Sequence, residues 1–190
     1  MGKVDKLARM RHSFTAKLIS EHIPNGSRIL EIGGSRLTPY WIQTKLKYDI
    51  VTVNLQDADY VLNVEKDSLL EKIGERFRYV TMFEVIEHLE NPYTALRNIR
   101  AIMEKGGLFL GSTPNRFDPY LFLGARIHED HNYVFDKLTI KHLLNKCGFE
   151  AIEVKSRVLP IKLSPRIFIS IDLSKLIPTG RVVFWIARAK

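Results

Sequence analysis

Two hydrophobic patterns alternate along the chain almost from end to end. Short apolar runs occur at RILEIGG (28–34), DIVTVNL (49–55), ADYVLNV (58–64), RYVTMF (78–83), LFLGSTP (108–114), FEAIEVKSRVL (149–159) and RVVFWIARAK (181–190). Their length and their β-branched and aromatic content predict buried strands. Between them apolar residues recur at helical spacing. Leu7, Met10, Phe14 and Leu18 predict an amphipathic helix from Val4 to about Ile23, and Ala95, Leu96, Ile99 and Ile102 predict another from Pro92 to Glu104. Thr38-Pro39 and Asn91-Pro92 each pair a capping side chain with a proline at the first helical position, so helices are expected to about Leu46 and from Asn91 onward. Further helices are expected from Ser68 to Glu75 and, capped by Asp136, through Cys147. Lys105-Gly106-Gly107 and Gly148 are expected to end helices, since glycine accepts the left-handed backbone found there.

Alternating strands and helices are the pattern of a mostly parallel sheet with helices packed on it, an α/β fold. In such sheets ligands bind beyond the carboxyl ends of the strands, so the segments after 32, 54, 63, 83 and 113 are where chemistry is sought. There is no internal repeat, low-complexity tract or Gly/Ser linker, which implies one domain over 1–190. Its residues 1–25 form an N-terminal helix, and 156–180 are a cap or insertion before the last strand.

Composition narrows the setting. A chain of 190 residues can bury a full core without disulfides or metal staples. The single cysteine, Cys147, forbids an intramolecular disulfide and fits a reducing compartment. No apolar run approaches the roughly 20 residues that span a bilayer, and the basic N-terminus lacks the apolar stretch of a secretory signal. A cytoplasmic location is expected, without membrane contact.

The formal net charge is +8, unevenly spread. Residues 1–30 carry six Lys/Arg against two Asp/Glu, 31–136 twelve against sixteen, and 137–190 eleven against three. Basic termini suit an anionic partner such as RNA or a phosphorylated ligand, and equally suit simple solubility.

Glu31-Ile32-Gly33-Gly34-Ser35-Arg36 is a glycine turn after the first strand, where backbone N–H groups can approach a carboxylate or phosphate closely. More specific is the ordered set "LEIGG", "FEVIEHLENP", "KGGLFLGSTPN" and "HNYVFDKLTIKHLLNKCGFE". At these spacings the chain resembles the class I S-adenosylmethionine-dependent methyltransferases, within the group that includes ubiquinone-biosynthesis O-methyltransferases and small-RNA 2′-O-methyltransferases. The resemblance covers roughly 26–155. It implies a Rossmann-like sheet of seven strands with helices on both faces and the last strand antiparallel. It also implies methyl transfer from S-adenosylmethionine to an oxygen or nitrogen of an unidentified acceptor, a small molecule or RNA.

By the same resemblance Glu31 closes the first strand beside the cofactor's methionine end, and Gly33, Gly34 and Ser35 form the loop beneath it. Asn54 falls where relatives carry an acid for the ribose hydroxyls, with Asp57 a substitute, and Asn63 where an Asp often reads the adenine. Phe83 and Glu84 stand beside the sulfonium, which favours acceptors and π-faces. The chain departs from the family pattern: Ser35 and Leu37 replace two loop glycines, and Arg78 replaces a common Asp. This erosion keeps an inert, partner-binding relative in view, alongside a basic RNA-binding protein. A nicotinamide dehydrogenase fits less well, for want of G-x-G-x-x-G.

Glu84, Glu87 and His88, with His128 and His131 later, carry the reactive side chains. His88 or His131 is expected to act as a general base on a hydroxyl, with Glu87 beside it. In small-RNA 2′-O-methyltransferases a similar set binds a divalent metal. Relatives that need no metal share these letters, so the metal stays open and the metal-free base is preferred. Trp41, Tyr40 and Trp185 read as packing residues. Tyr120, Leu121, Phe122 and Leu123 read as a substrate-side loop.

Overall fold

The computed structural model describes residues 15–34, 48–118, 129–157, 161–164, 167–169 and 180–190. Seven strands form one sheet: β1 (Arg28–Ile32), β2 (Asp49–Asn54), β3 (Tyr60–Val61), β4 (Phe77–Phe83), β5 (Met103–Pro114), β6 (Phe149–Arg157) and β9 (Val182–Ala189). Their order across the sheet is β3-β2-β1-β4-β5-β9-β6. Strand β1 lies near the middle, parallel to both β2 and β4, while β9 runs antiparallel to β5 and β6. A separate pair, β7 (Ile161–Ser164) and β8 (Ile167–Ile169), forms an antiparallel hairpin within the stretch expected to be a cap.

Side chains alternate between two cores, one on each face of the sheet. Leu30, Ile32, Phe109, Trp185 and Ala187 join α2 (Leu69–Ile73), α3 (Pro92–Ile102) and α4 (Lys137–Lys146) in the larger core. Ile29, Leu110, Phe184 and Ile186 face the other way, onto Leu18 and Ile19 of the first helix, α1, which is helical over 15–22, and onto Ile23 just after it. Ala95, Leu96, Ile99 and Ile102 of α3 are fully buried. Each Leu or Ile buried in this way contributes about 1.5–3 kcal/mol. The fold is therefore the Rossmann-like α/β sheet expected, with its last strand antiparallel. Among the described residues no helix is long and apolar enough to cross a membrane.

The caps read from sequence are present. Asn91 Oδ1 accepts from Thr94 N at 3.1 Å with Pro92 at the first turn. Asp136 Oδ1 accepts from Leu138 N and Thr139 N at 2.9 and 2.8 Å, while Thr139 Oγ1 accepts from Asp136 N at 2.9 Å, a complete capping box.

Two expectations need correction. The strand expected over 58–64 shrinks to Tyr60–Val61. Asp59 Oδ2 accepts from Thr52 N and Oγ1 at 3.0 and 2.8 Å, so a side chain takes the ladder position at which pairing would have begun. The helix expected to reach Glu104 stops at Ile102, and β5 begins at Met103, which pairs with Phe77. Arg76 Nη1 donates to the carbonyls of Ala101 and Met103 at this junction. The register then passes from Phe77↔Met103 to Tyr79↔Leu108, so β5 bulges. Gly106 takes φ +78° within that bulge, and a Cβ on Gly107 would stand 2.6 Å from Arg78 O. The glycines thus serve the strand, not a helix end. The helix expected behind Thr38-Pro39, the stretch before residue 15 of the expected first helix, Trp41, Tyr40 and 120–123 lie outside the described residues.

Candidate functional site

At the carboxyl ends of β1, β2 and β4 the chain makes three turns that enclose a cleft of about 250 Å³. The first follows Ile32. Gly33 takes φ +80° and donates its N–H to Val53 O at 2.8 Å, tying the turn to β2. A Cβ at Gly33 would meet Val85 Cγ2 at 2.3 Å, and a Cβ at Gly34 would meet Glu31 Oε2 at 2.8 Å. Gly33 has no room for a side chain, while at Gly34 the Glu31 side chain would have to move aside. Burial pushes the Glu31 carboxyl up to about 7, because the charged form loses its hydration there.

The second turn follows Asn54, whose Nδ2 donates to Gly33 O at 3.3 Å and whose Oδ1 accepts from Leu55 N at 2.8 Å. Asn54 thus pins the two turns together. Asn63 is similarly engaged, with its N–H on Asp67 Oδ2 at 2.7 Å and its Oδ1 on Glu65 N at 2.9 Å. Gly33, Asn54, Asn63, Glu84 and His88 line the cleft with Leu55, Leu62, Glu65, Val85 and Leu89. Glu31 and Gly34 stand behind its rim. Phe83 does not line it: as the last residue of β4 it packs toward the smaller core. Ser35 and His128 lie outside the described residues.

The third turn places the reactive groups. Glu84 adopts φ +54°, and its Oε1 accepts from Ser112 Oγ at 2.7 Å. This geometry turns Glu84 toward β5. Glu87, His88 and His131 instead come together, with one ligating atom from each lying within 4.8 Å of the others. Glu87 is 1% exposed and its Oε2 accepts from Thr113 Oγ1 at 3.0 Å. The rings of His88 and His131 meet edge-on with centroids 4.8 Å apart.

His88 Nδ1 lies 2.9 Å from Asp130 O. A carbonyl oxygen can only accept, so Nδ1 donates in this contact, and Nε2 is the ring nitrogen turned toward Glu87 Oε1, 4.0 Å away. With Nδ1 so engaged, Nε2 is the nitrogen placed to exchange a proton with an acidic partner or to bind a cation.

Sequence reasoning passed over the residue that joins these segments. Asn132 donates through N to Glu87 O at 2.8 Å and through Nδ2 to His88 O at 2.9 Å. It thereby straps 131–135 across the turn that carries Glu87 and His88. Its one signal was adjacency to His131. Leu55, Leu62 and Val85 were also missed, because apolar residues beside a turn read as ordinary packing.

A family model described as a methyltransferase domain matches residues 6–154. A ubiquinone biosynthesis O-methyltransferase of Coxiella burnetii (strain Dugway 5J108-111) is 36% identical over 73 residues, 37% of this chain and 29% of that protein. The chain thus aligns with less than a third of that relative. Among solved structures, an S-adenosylmethionine-dependent methyltransferase from Thermotoga maritima superposes with a TM-score of 0.68 at 18% identity, covering 96% of this chain and 90% of that one. An N-methyltransferase from Bradyrhizobium japonicum WM9, in complex with S-adenosyl-L-homocysteine, gives 0.61 at 14% identity, over 98% and 89%.

Proposed function

The chain belongs to the methyltransferase-domain family, and from that premise we propose that it moves a methyl group from S-adenosylmethionine to an oxygen or nitrogen acceptor. The observation that carries this reading is the cleft at the ends of β1, β2 and β4, where Gly33, with Val85 Cγ2 in the place a Cβ would take, brings bare backbone to the lining. A glycine cradle of this kind fits a ligand that must lie against main chain.

Gly33, Asn54, Asn63 and Glu84 hold the cofactor in this account, with Leu55 and Leu62 offering apolar surface to its base and Glu31 close behind the glycines. Bound there, S-adenosylmethionine supplies an electrophilic methyl on a cationic sulfur. The remaining work is positional, since an in-line displacement needs nucleophile, carbon and leaving atom aligned in a site shielded from water. His88 Nε2 accepts the acceptor's proton. The buried Glu87 carboxylate stabilises the imidazolium that results, and His131 packs against the ring to fix its angle. Cytoplasmic placement belongs to the same reading, supported by a free, buried Cys147.

The clustering of Glu87, His88 and His131 supports a second reading. One carboxylate and two imidazoles suit Zn²⁺ or Mn²⁺, and an ion held by them would polarise an acceptor hydroxyl directly. Release of S-adenosylhomocysteine is the test for both, measured over pools of RNA and small hydroxylated acids, with and without chelator and added Mn²⁺. Turnover in chelator supports the base, turnover only with added metal supports the ion, and no turnover on any pool counts against transfer.

A further inference from the structure

A second groove, of about 530 Å³, opens between α3 and α4, next to the candidate reacting centre. Its floor is Phe135 and Leu143, both buried, and its walls carry Tyr93, Tyr133, Leu138 and His142. The strap 131–135 belongs to both sites. His131 meets His88, while Tyr133 and Phe135, at the next two alternate positions, stack with centroids 5.7 Å apart and planes 25° from parallel. Tyr93 is 43% exposed and Tyr133 41%, large exposure for aromatic residues in a described core this well packed. Tyr133 is held in place, because its hydroxyl donates to Glu90 O at 2.9 Å. A ring that is exposed and fixed is a stacking platform prepared before any ligand arrives.

Charge singles out one class of occupant. Helix α3 contributes Arg97 and Arg100, α4 contributes Lys137, Lys141 and Lys146, and neither helix contains Asp or Glu. Arg97 lies one turn beyond Tyr93, and Lys146 one turn beyond His142, so each wall of the groove continues into an exposed cation. Among the described residues no carboxylate comes within 4 Å of the charged ends of Arg97, Lys137, Lys141 or Lys146. Asp136, at the head of α4, is occupied with its capping box and with Arg116 at 3.8 Å. Among the described residues Glu90 is the one acid lining the groove.

Two exposed aromatic rings, one of them fixed, with a cation beyond each are what a single strand of nucleic acid requires: rings for its bases and spaced cations for its phosphates. An acidic peptide would satisfy the cations and leave both tyrosine faces without a stacking partner. We propose that the groove between α3 and α4 binds single-stranded nucleic acid, with bases on Tyr93 and Tyr133 and phosphates at Arg97 and Lys146. The strand then continues past the shared strap toward His131. That last step rests on the methyl-transfer reading and makes the strand the body of the acceptor; the groove as a strand site stands without it.

The test is fluorescence anisotropy of labelled single-stranded ribo- and deoxyribo-decamers with the full chain across a salt series, with polyglutamate as competitor. The expected result is binding that weakens steeply with salt. Tyr93→Ala and Tyr133→Ala each lower affinity about tenfold, and Arg97→Glu with Lys146→Glu flattens the salt slope by roughly 0.7 for each phosphate no longer neutralised. Groove variants that bind like the parent chain overturn the proposal, and so does displacement by polyglutamate as effective as by unlabelled strand. Calorimetry with S-adenosylhomocysteine on Tyr93→Ala and Lys146→Glu separates the two readings. Retained cofactor binding with no strand binding by the parent chain removes the groove proposal alone. Strand binding through the groove by a parent chain that does not bind S-adenosylhomocysteine removes the methyl-transfer reading instead. Melting curves confirm that each variant is folded.

Discussion

Val85 Cγ2 fills the space that a Cβ on Gly33 would need, 2.3 Å from where that atom would sit. The turn after β1 and the turn after β4 are therefore shaped against each other, and Gly33 is held at φ +80° where an L side chain is already strained. Gly33→Ala is expected to cost about 1–2 kcal/mol for the backbone and about 1–3 kcal/mol for overpacking. Trimming the partner should return the second term only. Urea unfolding of Gly33→Ala, Val85→Ala and the double variant checks this through their coupling energy. Strict additivity would show that the two turns do not meet.

Glu31 gives the chain a pH-dependent stability of predictable sign. Its carboxyl titrates near 7 when folded, against a reference of 4.5, so the native state holds a proton that the unfolded chain releases earlier. The folded state is favoured below about pH 4.5, and that advantage is lost as pH rises to about 7, a penalty on the order of 2–3 kcal/mol. Glu31→Gln is expected to match the parent chain near pH 4.5 and to exceed it in urea midpoint at pH 8. Equal midpoints at pH 8 would mean that the carboxylate stays hydrated.

His131 touches the imidazole of His88 without lining the cleft beyond β1, β2 and β4. If it positions that ring as proposed, His131→Ala is expected to lower turnover by up to about 10²-fold while S-adenosylhomocysteine binding stays within a few-fold. Single-turnover rates beside calorimetric affinities separate the two effects. A parallel loss of affinity would place His131 in cofactor binding.

Asp136 closes the capping box that anchors α4 and, through Phe135, the strap. Asp136→Ala should destabilise the chain by about 0.5–2 kcal/mol, read as a lower melting temperature. Asn91→Ala, which removes one capping bond, should cost less.

Much of the fold was legible in the sequence because local and global preferences agree. Apolar runs such as Ile29–Ile32 are buried strands, and Asn91-Pro92 and Asp136 begin helices where their chemistry requires it. Met103–Gly107 was misread because a helix end and a β-bulge both call for left-handed glycine. The choice between them lies in the distant pairing of Met103 with Phe77. The site was legible as a set of segments, since ligands gather at strand ends, but not as a geometry. That Glu84 turns to Ser112 while Glu87 joins the histidines depends on one positive φ, and that Asn132 straps the cluster depends on contacts more than 40 residues apart in the chain.

The central claim is that the cleft at the ends of β1, β2 and β4 is an S-adenosylmethionine site. Isothermal titration of the chain with S-adenosylhomocysteine, with NAD as control, tests it most directly. The account predicts micromolar binding of the sulfur ligand alone, abolished in Gly33→Val. No heat at millimolar ligand, or equal affinity for NAD, would contradict it.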